Sequence, residues 1–194
     1  MDGQEQRIEV NWKGPFSWPG YEKKNGLQQL PNTSGVYLQS FMFEEGFLIY
    51  AAGLTRRSIL KRFREHTKKY INGEYNVLDL QFAQKGIRKE IWHGWGYARE
   101  HRDEFEFRKK EIIEGVHKEL TGFPIFIAEL ENQPRIHERL EAAIMNQLYQ
   151  MAPPICLIPD RGMQLSPRWA SEEPIFVKNN RLVVLYGLPD DLEI

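Results

Sequence analysis

Four side chains of different chemistry stand at separate points of this chain, and together they suit the hydrolysis of a phosphodiester. They are the phenol of Tyr37, the guanidinium of Arg62, the imidazole of His66 and the carboxylate of Glu141. A carboxylate can hold a divalent cation that stabilises the leaving oxygen, and an arginine can bind phosphate oxygens through two donors. A tyrosine or histidine near the attacking water can accept or relay its proton. We therefore expect metal-assisted cleavage of a phosphodiester.

Two short strands joined by a turn are predicted to carry the first of these groups. Apolar and aromatic residues dominate 34–41 and 47–52, and the turn at 44–46 ends in glycine. Tyr37 lies within the first strand. The pattern therefore predicts a hairpin that displays the phenol.

Two helices are predicted to carry the other three groups. The first runs from a cap at Thr55 to about residue 70 and displays Arg62 and His66 one turn apart on one face. The second covers about residues 134–151, and Glu141 lies at the margin of its apolar stripe. A carboxylate at that margin can point into a cleft.

The whole chain, residues 1–194, is expected to form one α/β (α+β) domain. Residues 123–130 are almost continuously apolar, which predicts a central strand covered on both faces. These elements give a small, mostly antiparallel sheet of about three strands flanked by helices. The remaining segments are predicted as an irregular lead-in at 11–33, an insertion at about 72–122 with a charged helix at 99–120, and a loop with a closing hairpin at about 153–194.

The bulk composition bounds the class of protein. The chain has 194 residues and a net charge of −1, which suits a single domain without an overall basic coat. Cys156 is the only cysteine, which excludes an internal disulfide and fits a reducing compartment. No apolar run approaches the roughly 20 residues of a membrane span. We therefore expect a cytoplasmic location and no membrane partner.

A local basic strip stands out against this neutral background. Residues 56–69 hold seven Lys and Arg residues and one acid, Glu65. Such a strip can engage the phosphates of DNA even on a neutral protein, although it also suits a solvated helix face. The residues predicted to bind DNA are Arg56, Arg57, Lys61, Arg64 and Lys69.

The order of these pieces resembles the GIY-YIG nuclease superfamily. Gly35-Val36-Tyr37 is similar to the first signature, with valine for isoleucine. Arg62 and His66 match the arginine and histidine of the first helix, and Glu141 matches the glutamate of a later apolar helix. The resemblance covers residues 34–66 and 134–150. It implies a small central sheet flanked by helices.

The resemblance also implies roles for the matching residues. Tyr37 would be the general base or would position the water, and Arg62 would bind the scissile phosphate. Glu141 would bind Mg²⁺ or Mn²⁺, and His66 would assist proton transfer or contact the phosphate. Cleavage of DNA would leave a 5′-phosphate and a 3′-hydroxyl. The protein would act as a monomer or a transient homodimer.

The second signature departs from the family pattern. Tyrosine normally stands two residues before its glycine, but Ala51 holds that place and Tyr50 lies three before Gly53. A one-residue shift turns a strand side chain to the other face. Tyr50 is therefore either restored to the site by a bulge or part of the core. Glu138, one turn before Glu141, is the rival metal ligand.

Two other functions remain open at this level. A nucleic-acid-binding module that keeps the fold without catalysis would bind DNA in a salt-sensitive manner and would not cleave it in the presence of any metal. An unrelated interaction protein is favoured by the neutral charge and by the mixed charges at 99–119. It would lack affinity for DNA at moderate salt.

Overall fold

The computed structural model describes residues 6–130 and 133–194. The strands are β1 (Gln6–Asn11), β2 (Lys13–Ser17), β3 (Gln28–Gln29), β4 (Gly35–Phe43), β5 (Gly46–Thr55), β6 (Val77–Leu78), β7 (Glu90–Trp92), β8 (Ile125–Ala128), β9 (Ile175–Asn180), β10 (Leu185–Tyr186) and β11 (Asp191–Glu193). The helices are α1 (Glu22–Asn25), α2 (Ile59–Ile71), α3 (Leu80–Ala83), α4 (Trp95–Glu100), α5 (Arg102–Gly122) and α6 (Pro134–Gln150), with a 3₁₀ turn at Ile155–Leu157.

The central sheet is mixed, with an antiparallel middle. Within the described ranges it has six strands in the order β10-β5-β4-β8-β2-β3. The pairs β4–β5, β4–β8 and β2–β8 are antiparallel, and the short edge strands β10 and β3 pair in parallel. The α+β class is confirmed, but the prediction of about three strands is wrong. The lead-in at 11–33, predicted as irregular, supplies β2 and β3. Strand β2 forms by pairing with the distant β8, and β3 then pairs with β2, so the sequence of the lead-in alone does not reveal them.

The sheet separates two cores. On one face, Tyr37 joins a cluster with Phe63 of α2 and other aromatic residues. On the other face, Leu38 packs with Leu140 of α6 and Val177 of β9. Successive β4 side chains therefore enter different cores, as strand geometry requires. This alternation places Tyr37 on the side of the first predicted helix.

The predicted hairpin and second helix are confirmed. β4 and β5 pair antiparallel around a turn in which Glu44 adopts a positive φ of 49°. Helix α6 begins at Pro134, and the predicted inward residues Leu140, Ile144 and Leu148 are fully buried. Both elements therefore present their functional residues with little departure from the expected bounds.

Helix α2 starts later than predicted. Thr55 is the last residue of β5, and the helix cap is Ser58, whose side chain accepts a hydrogen bond from the Lys61 backbone N–H at 3.2 Å. A serine cap satisfies one free N–H of the first turn, as threonine would have done. Antiparallel pairing with Gly35 extends β5 through Thr55 and displaces the cap.

The segment predicted as an insertion forms a compact unit on the α2 side. The charged helix predicted at 99–120 is two helices, α4 and α5, with the break at His101. Its predicted inward residues Phe105, Ile112 and Val116 are buried against the aromatic core. The antiparallel strands β6 and β7 belong to the same segment and form a separate two-stranded sheet.

The closing hairpin, predicted from 175–177 and 181–185 joined through a turn at Asn179-Asn180, is wrong: β9 and β10 belong to different sheets. Asn179 and Asn180 belong to β9, which pairs in parallel with β1 and antiparallel with β11. The buried side chain of Asn179 accepts a hydrogen bond from Trp12 Nε1 at 2.9 Å and donates one to the Pro189 carbonyl. Tertiary pairing thus overrides the turn propensity of the Asn-Asn dipeptide. Across the described part of the chain, no helix is long and apolar enough to cross a membrane.

Candidate active site

Tyr37 lies opposite Gly53 of β5, and its ring covers that glycine. A Cβ atom at Gly53 would lie 2.4 Å from both Cζ and the hydroxyl oxygen of Tyr37, so that only glycine permits this approach. Phe63 packs edge-on against the same ring, with 4.8 Å between centroids. The glycine of the second signature therefore positions the tyrosine of the first.

The two ring nitrogens of His66 contact two tyrosine hydroxyls. Nε2 lies 3.2 Å from the Tyr37 hydroxyl, and Nδ1 lies 3.0 Å from the Tyr75 hydroxyl. Burial, and after it the charges of Arg62 and Lys69, lowers the pKa of His66 to about 3. The imidazole is therefore neutral at physiological pH, with one donor and one acceptor nitrogen. One tyrosine hydroxyl donates to the imidazole and the other accepts from it.

The guanidinium of Arg62 lies beside the Tyr37 hydroxyl. Burial raises the pKa of Tyr37 to about 12, and the positive charge of Arg62 opposes this shift. The buried Nε of Arg62 has no hydrogen-bond partner among residues 6–130 and 133–194. Buried donors are normally paired, and arginine is well suited to phosphate oxygens. An anionic oxygen at this position would satisfy the free donor.

Glu141 completes the group from α6. Burial raises the pKa of Glu141 to about 7, and the negative charge of Glu138 acts in the same direction. The Leu54 backbone amide and the charge of Arg62 oppose the shift. The charge of Glu141 in turn raises the pKa of Tyr37. The structure therefore brings Glu141 within electrostatic range of both Tyr37 and Arg62.

The chemistry of Glu141 fits a divalent cation held through one side chain. Burial destabilises the ionised carboxylate, and a bound cation would offset that cost. Mg²⁺ is commonly held by one or two carboxylates, with water and substrate phosphate as further ligands. The described residues contain no group of three or more His, Cys, Asp or Glu placed to hold a metal ion. The rival ligand Glu138 is engaged in ion pairs with Arg56 at 2.5 Å and Arg135 at 3.4 Å.

Tyr50 is the extra residue of a β-bulge. Gln39 pairs with Ala51 and Ser40 pairs with Ile49, so that Tyr50 has no partner opposite it. Tyr50 and Ala51 consequently both enter the core on the Tyr37 side of the sheet. Of the two alternatives for Tyr50, the structure contains the bulge.

The bulge nevertheless does not bring Tyr50 to the Tyr37 hydroxyl. Burial raises the pKa of Tyr50 well above its usual value, and the next contributions come from Asp160 and Glu119. Arg88 pairs with Asp160 at 2.6 Å, and Glu119 accepts a hydrogen bond from the Leu78 backbone at 2.6 Å. Tyr50 therefore belongs to a second buried polar group, apart from the predicted site.

The residues predicted to bind DNA divide into free and paired cations. Lys61 and Arg64 are exposed, and neither has an ion-pair partner in the described ranges. The other three pair with carboxylates: Arg56 with Glu138 at 2.5 Å, Arg57 with Glu65 at 2.5 Å, and Lys69 with Glu74 at 3.8 Å. The strip therefore offers fewer free charges to phosphate than its composition indicates.

Tyr75 is a site residue that the sequence analysis missed. It follows α2 in a stretch without helical or strand period, and its only sequence signal is the turn Asn72-Gly73 before it. Its hydroxyl contacts His66, and its ring packs against Trp95 with 4.9 Å between centroids. The hydrogen-bonded line Tyr37–His66–Tyr75 therefore leads from the sheet to the insertion.

The chain matches no protein-family model, no curated protein and no solved structure in the three comparisons made.

Proposed function

We propose that this protein is a divalent-metal-dependent endonuclease that hydrolyses DNA phosphodiester bonds and leaves 5′-phosphate and 3′-hydroxyl ends. The observation that carries the proposal is the unpaired, buried Nε of Arg62, which lies in a group with Tyr37, His66 and Glu141. A phosphate bound at Arg62 would face a tyrosine hydroxyl and a carboxylate. These are the partners that in-line attack by water requires.

Arg62 binds the scissile phosphate in this proposal and stabilises the charge that develops on it. Tyr37 positions the attacking water. Its pKa of about 12 keeps the hydroxyl protonated at neutral pH, which favours positioning over direct action as a phenolate base. Gly53 permits the close ring approach that fixes this hydroxyl.

His66 supplies a route for the proton. When Tyr37 donates to Nε2, the tautomer with a proton on Nδ1 donates to the Tyr75 hydroxyl, and the hydrogen bonds all run in one direction. The attacking water can then give its proton to the Tyr37 oxygen while Tyr37 gives its own proton to His66 Nε2. His66 at the same time passes its Nδ1 proton to Tyr75, and Tyr75 releases its hydroxyl proton. The low pKa of His66 suits this relay, in which the imidazole never stores a charge.

Glu141 is the residue that would hold Mg²⁺ or Mn²⁺. A cation bound there supplies neutralisation of charge on the phosphate and on the leaving oxygen. Exposed Lys61 and Arg64 on the same helix as Arg62 are available to contact flanking phosphates. We further propose a cytoplasmic location, which the single residue Cys156 supports.

The test is nicking of supercoiled plasmid with Mg²⁺ or Mn²⁺. We expect the wild-type protein to nick and the variants Tyr37→Phe, Arg62→Ala and Glu141→Ala to lose about 100-fold or more. Glu114→Gln is the matched control, because this exposed carboxylate pairs with Lys118 on helix α5 and is not one of the site residues. Control activity should equal wild type. Full activity in all three site variants would refute the assignment.

An inactive DNA-binding module is the second candidate, and the position of Tyr50 favours it. Tyr50, the tyrosine of the second signature, lies in the buried polar group of Asp160. Tyr37 is then the tyrosine that the central sheet contributes to the site. This candidate predicts salt-sensitive DNA binding with no cleavage in any metal. Cleavage that Arg62→Ala abolishes would exclude it.

A further inference from the structure

Trp95 is held exposed in a strained conformation next to the candidate site. Its indole is 52% exposed, and its backbone φ of 55° lies in the left-handed region that bulky residues rarely adopt. The Trp95 N–H donates to the Glu74 carbonyl at 2.8 Å, and the Gly94 N–H donates to Asn76 Oδ1 at 2.7 Å. A Cβ atom at Gly94 would lie 2.3 Å from the Tyr75 carbonyl carbon. The surrounding chain therefore imposes this conformation, and such strain is characteristic of functional positions.

The exposed indole is continuous with the hydrogen-bonded line of the site. Trp95 packs on the ring of Tyr75 at 4.9 Å between centroids, and Tyr75 contacts His66. The aromatic pair is therefore separated from Tyr37 by one imidazole. An aromatic surface so placed can stack on a base within a few nucleotides of the scissile phosphate.

A cationic cavity of about 410 Å³ lies against this aromatic pair. Its charged lining comprises Lys69, Arg99 and Arg102, with Glu74 as the only acid. Arg99 is exposed and has no ion pair in the described ranges, whereas Lys69 is 3.8 Å from Glu74. The volume is in the range of small-ligand sites, and the combination of cations with an aromatic face is typical of single-stranded nucleic-acid sites.

The helix α2 fixes the distance between the cavity and the candidate site. Lys69 lies seven residues after Arg62, which is about 10 Å along the helix axis at 1.5 Å per residue. Phosphates of one strand recur about every 3.4 Å along a DNA duplex. The cavity is therefore within a few nucleotides of the phosphate that Arg62 would bind.

We propose that Trp95, Tyr75 and the cations Lys69, Arg99 and Arg102 form a subsite for an unpaired nucleotide close to the cleaved bond. The base stacks on the indole and its phosphate contacts the cations. The substrate class is then DNA with a single-stranded segment next to the cleavage position. This assignment rests on the proposed nuclease function, which supplies the scissile phosphate, but stacking itself does not require catalysis.

Binding without metal separates the subsite from the chemistry. A fluorescein-labelled duplex with a short single-stranded overhang and the same perfect duplex are titrated with full-length protein in EDTA, and anisotropy gives the affinities. We expect Trp95→Ala to weaken overhang binding about 5- to 150-fold, which corresponds to about 1–3 kcal/mol of stacking per base. Binding of the perfect duplex should change less than about twofold on the same grounds. Trp95→Phe should retain most of the affinity.

Phe107→Ala is the matched control, because Phe107 is an exposed aromatic residue of α5 that lies outside the cavity. Arg99→Gln provides a second test that leaves the aromatic pair intact. It should weaken binding of the overhang DNA and reduce the slope of that affinity against salt by about one, with a smaller change for the perfect duplex. Equal losses on both DNAs with Trp95→Ala, or no more loss than with Phe107→Ala, would overturn the subsite. Selective overhang binding without cleavage in any metal would retain the subsite and refute the nuclease.

Discussion

Gly53→Ala should disable the site without replacing any side chain that takes part in the proposed chemistry. The added Cβ would lie 2.4–2.6 Å from three atoms of the Tyr37 side chain, whereas ordinary carbon contacts begin near 3.4 Å. The ring must therefore move by about 1 Å, since overpacked sites relax by side-chain shifts of this kind. The Tyr37 hydroxyl lies 3.2 Å from His66 Nε2, so a shift of that size is enough to break the hydrogen bond.

Two magnitudes follow from this displacement. Overpacking of a well-packed core typically costs about 1–3 kcal/mol of folding free energy. A misplacement of about 1 Å at a reacting centre can cost about 100-fold in rate. The nicking rate of Gly53→Ala should therefore fall about 100-fold, while thermal unfolding shows a protein that is still folded. Because Gly53 has an ordinary φ, backbone strain does not contribute to either effect.

Gly96→Ala is the matched control for this substitution. A Cβ atom at Gly96 meets nothing within 4 Å, and this glycine also has an ordinary φ. The control should keep full activity and unfold at the same or a slightly higher temperature. In a Tyr37→Ala background, Gly53→Ala should cost little stability, since the ring that it strikes is gone. Wild-type activity in Gly53→Ala, or an undiminished stability cost in the double variant, would refute the reasoning.

Two further predictions concern charge. The pKa of Glu119 is raised to about 8 by burial, so the folded state holds its proton more tightly than the unfolded chain, and this carboxyl opposes folding increasingly from pH 4.5 to 8. In Glu119→Gln, the free energy of unfolding should fall less steeply with pH over that window, by roughly 1.4 kcal/mol per pH unit. Urea titrations at several pH values measure this dependence, and the same pH dependence as wild type would contradict the prediction. Arg64→Gln should weaken DNA binding and lower the salt slope by about one, whereas Arg57→Gln, which removes a cation paired with Glu65, should change the slope less. Equal slopes in the two variants would contradict this difference.

The site residues that could be predicted are those whose position follows from the sequence pattern of their own helix or strand. Arg62 and His66 are four residues apart on a periodic segment, so their shared face follows from helix geometry alone. Glu141 lies in an equally periodic segment. Tyr75 has no such context, because its place is set by the packing of the insertion on α2. No local pattern carries that information.

Strand register shows the same limit. Alternation along β5 predicts the two faces of a regular strand, and on that basis the orientation of Tyr50 could not be decided. The bulge arises where Gln39 and Ser40 skip a residue on the opposite strand. It is therefore a property of the pair, and a single strand sequence does not specify it. The wrong turn at Asn179 has a similar cause, since β1 and β9 are far apart in the chain.

Hydrogen bonds to Asp160 of the second polar group help to hold the insertion against the site. Asn76 accepts from Gly94 beside Trp95 and donates to Asp160 at 2.7 Å, and the Asp160 carbonyl accepts from Tyr149 of α6 at 2.7 Å. The start of α4, which carries Trp95, is thus connected by hydrogen bonds to the helix that carries Glu141. A stacking platform can define a distance to the cleaved bond only when both are parts of one rigid frame. The buried polar group therefore serves the site through position, although none of its members contacts the phosphate in the proposed reaction.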